Sequence, residues 1–199
     1  MSQIAWNLEE VRKRLEAAAR RAGRNPAAVK LVAVKAREKI AALGPGVTWH
    51  LVGHLQTNKA KAAVELFQLI HSVDRLHLAQ ALEKAAAHQQ KIQEILLQVN
   101  LAGEESKSGA TPEAAPELLR EIARLPHLRV LGLMIMPPFL DPEAVRPYFR
   151  ALRELRDRLR QLDLGPLPEL SMGMSEDFEV AVEEGATLVR VGTAIFGRR

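Results

Sequence analysis

The chain has 199 residues, 47% of them hydrophobic, enough for one sizeable core and most simply a single domain over residues 1–199. It contains no cysteine, which excludes disulfides, thiolate metal sites and a thiol nucleophile, and no metal is expected. The net charge of +4 comes from Lys and Arg interleaved with Glu, as in Glu9-Glu10-Val11-Arg12-Lys13-Arg14-Leu15-Glu16, and aromatics are only 4%; this favours solvated helix faces and attraction to a small anion over nucleic acid.

No apolar run reaches the roughly eighteen residues of a membrane span, and the polar start does not read as a signal peptide. A cytoplasmic protein with no membrane partner is expected. In chain order, Asn7 is expected to open a helix, with Glu10 in capping-box spacing, an apolar stripe of Leu8, Val11, Leu15, Ala18, Ala19 and Ala22, and Gly23 at its end. Leu31-Val32-Ala33-Val34 reads as a buried strand. Residues 35–43 read as a helix stopped by Gly44-Pro45-Gly46. Residues 48–53 form the next expected strand, followed by a helix near 54–67. Residues 69–73 are a strand, after which Asp74 caps a helix carrying Leu78, Leu82 and Ala85.

Residues 95–100 give a further strand, with a polar loop running to Gly109. Thr111-Pro112 then opens a helix in the preferred cap and first-turn positions. Residues 130–136 are a strand, and Asp141-Pro142 starts a long helix with Val145, Phe149, Leu152, Leu155, Leu159 and Leu162. The last strands are Leu170-Ser171-Met172 and Leu188-Val189-Arg190-Val191. Between them Ser175 is expected to cap a short helix, with Glu176 and Asp177 in its first turn.

Near-continuous apolar strands alternating with amphipathic helices imply parallel βα units covered on both faces. No glycine-rich dinucleotide fingerprint follows the first strand. Polar residues recur after several strand ends, which favours a (β/α)8 TIM-type barrel over an open sheet. Only seven strands can be counted. The irregularity lies at Val34/Lys35, where a strand runs into a helix with no connecting loop. The second strand region is therefore expected to be absent, either deleted or left out of the sequence.

Several clusters admit two readings. In His50-Leu51-Val52-Gly53-His54-Leu55-Gln56-Thr57-Asn58-Lys59, Asn58 and His54 either wall a site or belong to an ordinary helix start with Lys59 solvated. The loop 100–109 is a substrate loop or a plain exposed one. Met134 and Met136 flank a flat ring or fill the core. Lys35 forms a Schiff base if desolvated, or sits on an exposed helical turn. Arg190 is the most informative residue, because an arginine inside an apolar strand is costly unless paired. It makes a structural ion pair, with Glu179 or Glu184, or it faces an anion or ring nitrogen at the barrel mouth. In the second case Ser175, Gly192 and Thr193 surround a phosphate, since strand ends turning into helix starts present N–H groups.

The decamer from His50 to Lys59, Ser106-Lys107-Ser108-Gly109, Gly132-Leu133-Met134, Ser171-Met172-Gly173-Met174-Ser175-Glu176-Asp177 and Val189-Arg190-Val191-Gly192-Thr193-Ala194-Ile195-Phe196-Gly197 occur in order. Together they resemble the YggS/PROSC family of pyridoxal 5′-phosphate (PLP) homeostasis proteins, and the likeness spans nearly the whole chain. The resemblance implies a fold similar to the N-terminal barrel of alanine racemase, with PLP held by a lysine after the first strand. It implies Ser175, Gly192 and Thr193 at the phosphate, Arg190 at the pyridine nitrogen, and Asn58 and Met134 near the ring. That family reads Leu-Val-Ala-Val-Ser/Thr-Lys and continues to a Gly-Glu-Asn strand, which is missing here. Either Lys35 is the Schiff-base lysine beside a deletion, or that lysine belongs to a segment missing after Val34; the helix-like run 35–43 favours the second. The implied role is a PLP carrier or buffer, a monomer serving PLP-requiring apoenzymes. A racemase also needs a second catalytic group, and Tyr148 is the chain's single tyrosine. A weak PLP-dependent racemase or lyase is the enzyme alternative, and a basic RNA- or phosphate-binding scaffold the more distant one.

Overall fold

The computed structural model describes residues 2–34, 48–103 and 108–197. Helix α1, Gln3–Arg21, buries Val11, Leu15, Ala18 and Ala19, the centre of the expected stripe. It starts one turn earlier than Asn7 suggested, because the Ser2 hydroxyl accepts from the Ala5 N–H at 3.3 Å. Asn7 lies inside the helix, and its side-chain amide donates to the Ile195 carbonyl at 2.9 Å, tying the start of the chain to its end.

Seven strands follow: β1 Lys30–Ala33, β2 His50–Leu51, β3 Leu69–Val73, β4 Gln93–Val99, β5 Leu128–Ile135, β6 Glu169–Ser171 and β7 Leu188–Val191. The helices between and after them are α2 Ala60–Leu66, α3 Leu76–His88, α4 Ala115–Ala123, α5 Pro142–Gln161, α6 Phe178–Glu183 and α7 Thr193–Phe196. Every strand pair is parallel, in the order β1-β7-β6-β5-β4-β3-β2. Sequence neighbours pair from β2 through β7, and β7 then pairs with β1, with Val32 opposite Arg190. Among the described residues this is the order of a (β/α)8 barrel without the strand between β1 and β2. Among the described residues nothing bridges those two edges, and a cleft of about 980 Å³ opens there, lined by Val32, Val34, His50, Val52 and Phe67.

The pleat sends alternate side chains to opposite faces, so the core has two parts. Outer-face residues such as Ile70, Ile95, Leu133, Val189 and Val191 pack with the helices in the larger cluster. Leu69, Leu96, Met134 and Leu188 form a smaller cluster inside the barrel, with Val32 and Leu131 against it. Arg190, two residues beyond Leu188, therefore enters the interior one pleat nearer the strand C-termini. Two glycines permit close approaches around it. A Cβ on Gly132 would sit 1.8 Å from the Glu169 carbonyl oxygen across β5 and β6. Gly173, at φ +89°, packs so tightly on α6 that a Cβ would lie 2.6 Å from that of Ala181.

Candidate functional site at the C-terminal mouth of the barrel

Arg190 is 2% exposed, and its backbone N–H donates to the Gly173 carbonyl at 3.0 Å. The carboxylates considered as ion-pair partners are engaged elsewhere. Glu179 binds Arg14 at 3.1 Å, while Glu184 holds Arg146, Arg150 and Arg153 on α5. The guanidinium instead donates from Nη1 to Ser171 Oγ at 2.7 Å and from Nη2 to the Ile135 carbonyl at 2.9 Å, with Met136 Sδ at 3.2 Å. Its Nε–H is buried and has no acceptor among the described residues. Burial lowers the pKa of Arg190 to about 10, against a raising influence from Asp177, so the cation persists at neutral pH.

Beside it lies a corner built from two loops. Ser175 was expected to cap the helix after β6, but Asp177 holds that N-cap position, and its carboxylate accepts from the Met174 N–H at 2.5 Å. Ser175 turns to the other loop, where its hydroxyl accepts from the Gly192 and Ala194 N–H groups at 3.2 Å each. Ser175 is thus joined to the end of β7 at Gly192 and to the first turn of α7 at Ala194, the residue after Thr193. Burial raises the pKa of Asp177, while the Met174 N–H and Arg190 pull it down.

The other expected site residues fare differently. Met134 is fully buried in the interior cluster and sits in register with Ser171 across β5 and β6, so it fills the core at the level of the site. Asn58 is exposed on a short 3-10 turn, Thr57–Lys59, and among the described residues no hydrogen bond joins it to Arg190 or Ser175. His54 Nδ1 lies 3.2 Å from Ser108 Oγ, which brings the polar stretch after β2 to the loop after β4. Lys35 and residues 104–107 of that loop lie outside the described residues.

His71 was absorbed into an apolar strand and missed. It is fully buried on β3, with Nδ1 2.8 Å from Ser171 Oγ and Nε2 3.1 Å from His50 Nδ1. Burial first, then His50 and Arg190, hold its pKa down to about 2, so it is neutral. A histidine amid Leu69, Ile70 and Val73 is as anomalous as Arg190 amid valines, and that was the available signal. Chemically, the mouth offers a desolvated cation with an unpartnered Nε beside a corner of backbone N–H groups and a hydroxyl. Such a site suits an anion joined to a ring that carries an acceptor.

The model of the alanine racemase N-terminal domain matches residues 5–199. A pyridoxal phosphate homeostasis protein of Aquifex aeolicus is 54% identical over 152 residues, 76% of this chain and 67% of that protein. Its namesake in Pseudomonas aeruginosa is 41% identical, covering 100% of this chain and 97% of its own. That alignment spans 227 positions against 199 residues, a difference of 28. Among solved structures, PipY of Synechococcus elongatus with PLP bound superposes with a TM-score of 0.83 at 32% identity, covering 98% of this chain and all of that one. No described helix is long and apolar enough to cross a membrane. With a seven-stranded parallel barrel, a polar mouth after β6 and β7 and these relatives, the chain belongs to the alanine racemase N-terminal domain family and, within it, to the pyridoxal phosphate homeostasis proteins.

Proposed function

We propose that this chain binds PLP at the mouth of the barrel and holds it as a carrier or buffer in PLP homeostasis, without robust turnover of a substrate. The observation that carries this reading is Arg190, a buried guanidinium whose Nε–H lacks an acceptor among the described residues. A pyridine nitrogen is an acceptor of the required kind, and a cation facing it disfavours ring protonation. Ser175 and the backbone of Gly192 and Thr193 would hold the phosphate, Met134 and Asn58 would lie toward the ring, and Asp177 keeps the Ser175 loop in shape through the Met174 N–H. When bound, the cofactor supplies an electrophilic aldehyde and an electron-accepting ring. An Arg190 that is cationic at neutral pH restrains that ring, which suits storage better than catalysis. Tyr148, the single tyrosine, packs in the helix layer outside the sheet rather than in the interior, so it does not supply a second catalytic group here.

The aldehyde end rests on a lysine, either Lys35 or one in the unit missing after Val34. The protein acts as a cytoplasmic monomer that yields PLP to apoenzymes. Titration of the full chain with PLP, followed by visible absorbance, is expected to show binding at micromolar concentrations. Borohydride trapping and peptide mass spectrometry then identify the lysine, with modified Lys35 the outcome if this chain carries its own anchor. Arg190→Ala is expected to weaken binding about tenfold or more and to shift the absorbance band. Absence of micromolar binding overturns the cofactor reading. An unchanged affinity and spectrum in Arg190→Ala overturns the ring-nitrogen role.

A further inference from the structure

A polar line crosses the barrel interior and ends on Arg190. His71 on β3 and Ser171 on β6 belong to strands separated in the sheet by β4 and β5, so their 2.8 Å contact spans the interior instead of following a strand pair. His50 on β2 extends the line to the cleft between β1 and β2, its Nδ1 lying 3.1 Å from His71 Nε2 with the rings 5.2 Å apart.

Donor and acceptor counting fixes the direction of the line. A guanidinium only donates, so Ser171 Oγ accepts from Arg190 Nη1. The acceptor facing the Ser171 hydroxyl proton is then His71 Nδ1. That places the His71 proton on Nε2, where it is donated to His50 Nδ1. Ser171 and His71 each donate one bond and accept one in this line, and each turns its negative end toward the buried cation. With Nη1 held by Ser171 and Nη2 by the Ile135 carbonyl, the guanidinium plane is set, and Nε is the one guanidinium nitrogen without a partner among the described residues.

We propose that His71 is a positioning residue for the cofactor: it orients Ser171, Ser171 orients Arg190, and His50 holds His71 in the tautomer this requires. The inference rests on the PLP reading above and deepens it by naming what aims the residue that meets the ring. Breaking the line at His71 leaves the Ser171 hydroxyl free to rotate and the Nη1 bond poorly directed, so the guanidinium no longer holds Nε in a single direction. A histidine that merely fills space would lower stability and leave ring recognition alone.

The test compares the affinity of the full chain for PLP and for 1-deaza-PLP, in which C–H replaces the ring nitrogen. The wild type is expected to prefer PLP about tenfold, the worth of one hydrogen bond to a charged group. His71→Leu and Ser171→Ala are each expected to bring that ratio close to one. His71→Asn, whose amide oxygen can take the Ser171 proton, restores most of it. If His71→Leu fails to fold by circular dichroism, Ser171→Ala reports the same ratio with the smaller change. A wild-type ratio of one means that Arg190 does not read the ring nitrogen, and the underlying reading fails. A wild-type preference that survives unchanged in folded His71→Leu or Ser171→Ala overturns the positioning role while leaving the PLP reading intact.

Discussion

The interior of this barrel contains a cation and two histidines, and their cost appears in how stability responds to pH. His71 is held to about 2, chiefly by burial, whereas an exposed histidine titrates near ~6.5. Below that higher value the unfolded chain takes up a proton that the folded chain refuses. The contribution of neutral His71 is thus complete above about pH 6.5 and falls with pH by up to ~1.4 kcal/mol per unit. His50, lowered by burial and by Lys30, acts in the same direction. Asp177, whose pKa burial raises, opposes it, because the folded state holds that proton more readily than the unfolded one. Replacing His71 by Asn isolates the first contribution. Between about pH 7 and about pH 5.5 the wild type is expected to lose about 1 kcal/mol more unfolding free energy than His71→Asn in urea titrations. Parallel pH profiles for the two proteins would sink the idea that His71 stays neutral. Arg190 was legible in the sequence because a charge in an apolar strand demands a reason. What met it was not legible, since nothing along the chain shows that β3 and β6 face each other across the interior.

The elements owe their placement to a few close backbone approaches. Gly132 is opposite Glu169 in the register that also sets Met134 opposite Ser171, and any side chain at 132 collides with a carbonyl oxygen. Gly132→Ala is expected to force β5 and β6 apart, costing about 3 kcal/mol in chemical denaturation and disturbing the Ser171 end of the polar line. A cost below about 0.5 kcal/mol, in the range of ordinary surface changes, would show that the strands can slip without penalty. The alternation of strand and helix, the long amphipathic α5 and the loop–helix corner after β7 were all readable, because period and turn chemistry are local properties. Caps were less so. Ser2, Asn7, Ser175 and Asp177 are all acceptable cap residues, and distant partners decided among them: Ile195 takes Asn7, while Gly192 and Ala194 take Ser175. Asp74 likewise pairs with Arg75 at 2.6 Å and does not cap α3. The strand expected over 48–53 shortened to His50–Leu51 for another reason. Among the described residues it has a neighbour on one side only, and a strand without its second ladder loses the bonds that define its ends.

On the scale of the whole molecule, two independent counts coincide. Among the described residues the sheet is one strand short of eight, with the gap between β1 and β2, and the Pseudomonas aeruginosa relative needs 28 more aligned positions than this chain has residues. A βα unit takes about 30 residues, so one unit accounts for both, and the sequence pattern points to Val34/Lys35, where a strand-like run meets a helix-like run with no loop signal between them. The consequence is energetic as well as geometric. Among the described residues β1 and β2 are edges, Val34 is 40% exposed just past β1, and the cleft beside them exposes interior positions that a closed barrel buries. Inserting the unmatched segment of that relative between Val34 and Lys35 is expected to close the ring. The urea midpoint should rise, and the denaturant dependence should steepen by roughly a seventh, in proportion to the added chain. Borohydride trapping on the same protein reports the second consequence. If the anchoring lysine belongs to the absent unit, PLP is trapped on the inserted segment and Lys35 stays unmodified. If the midpoint falls or stays put, the seam is already satisfied in this chain, and the barrel has found another way to end.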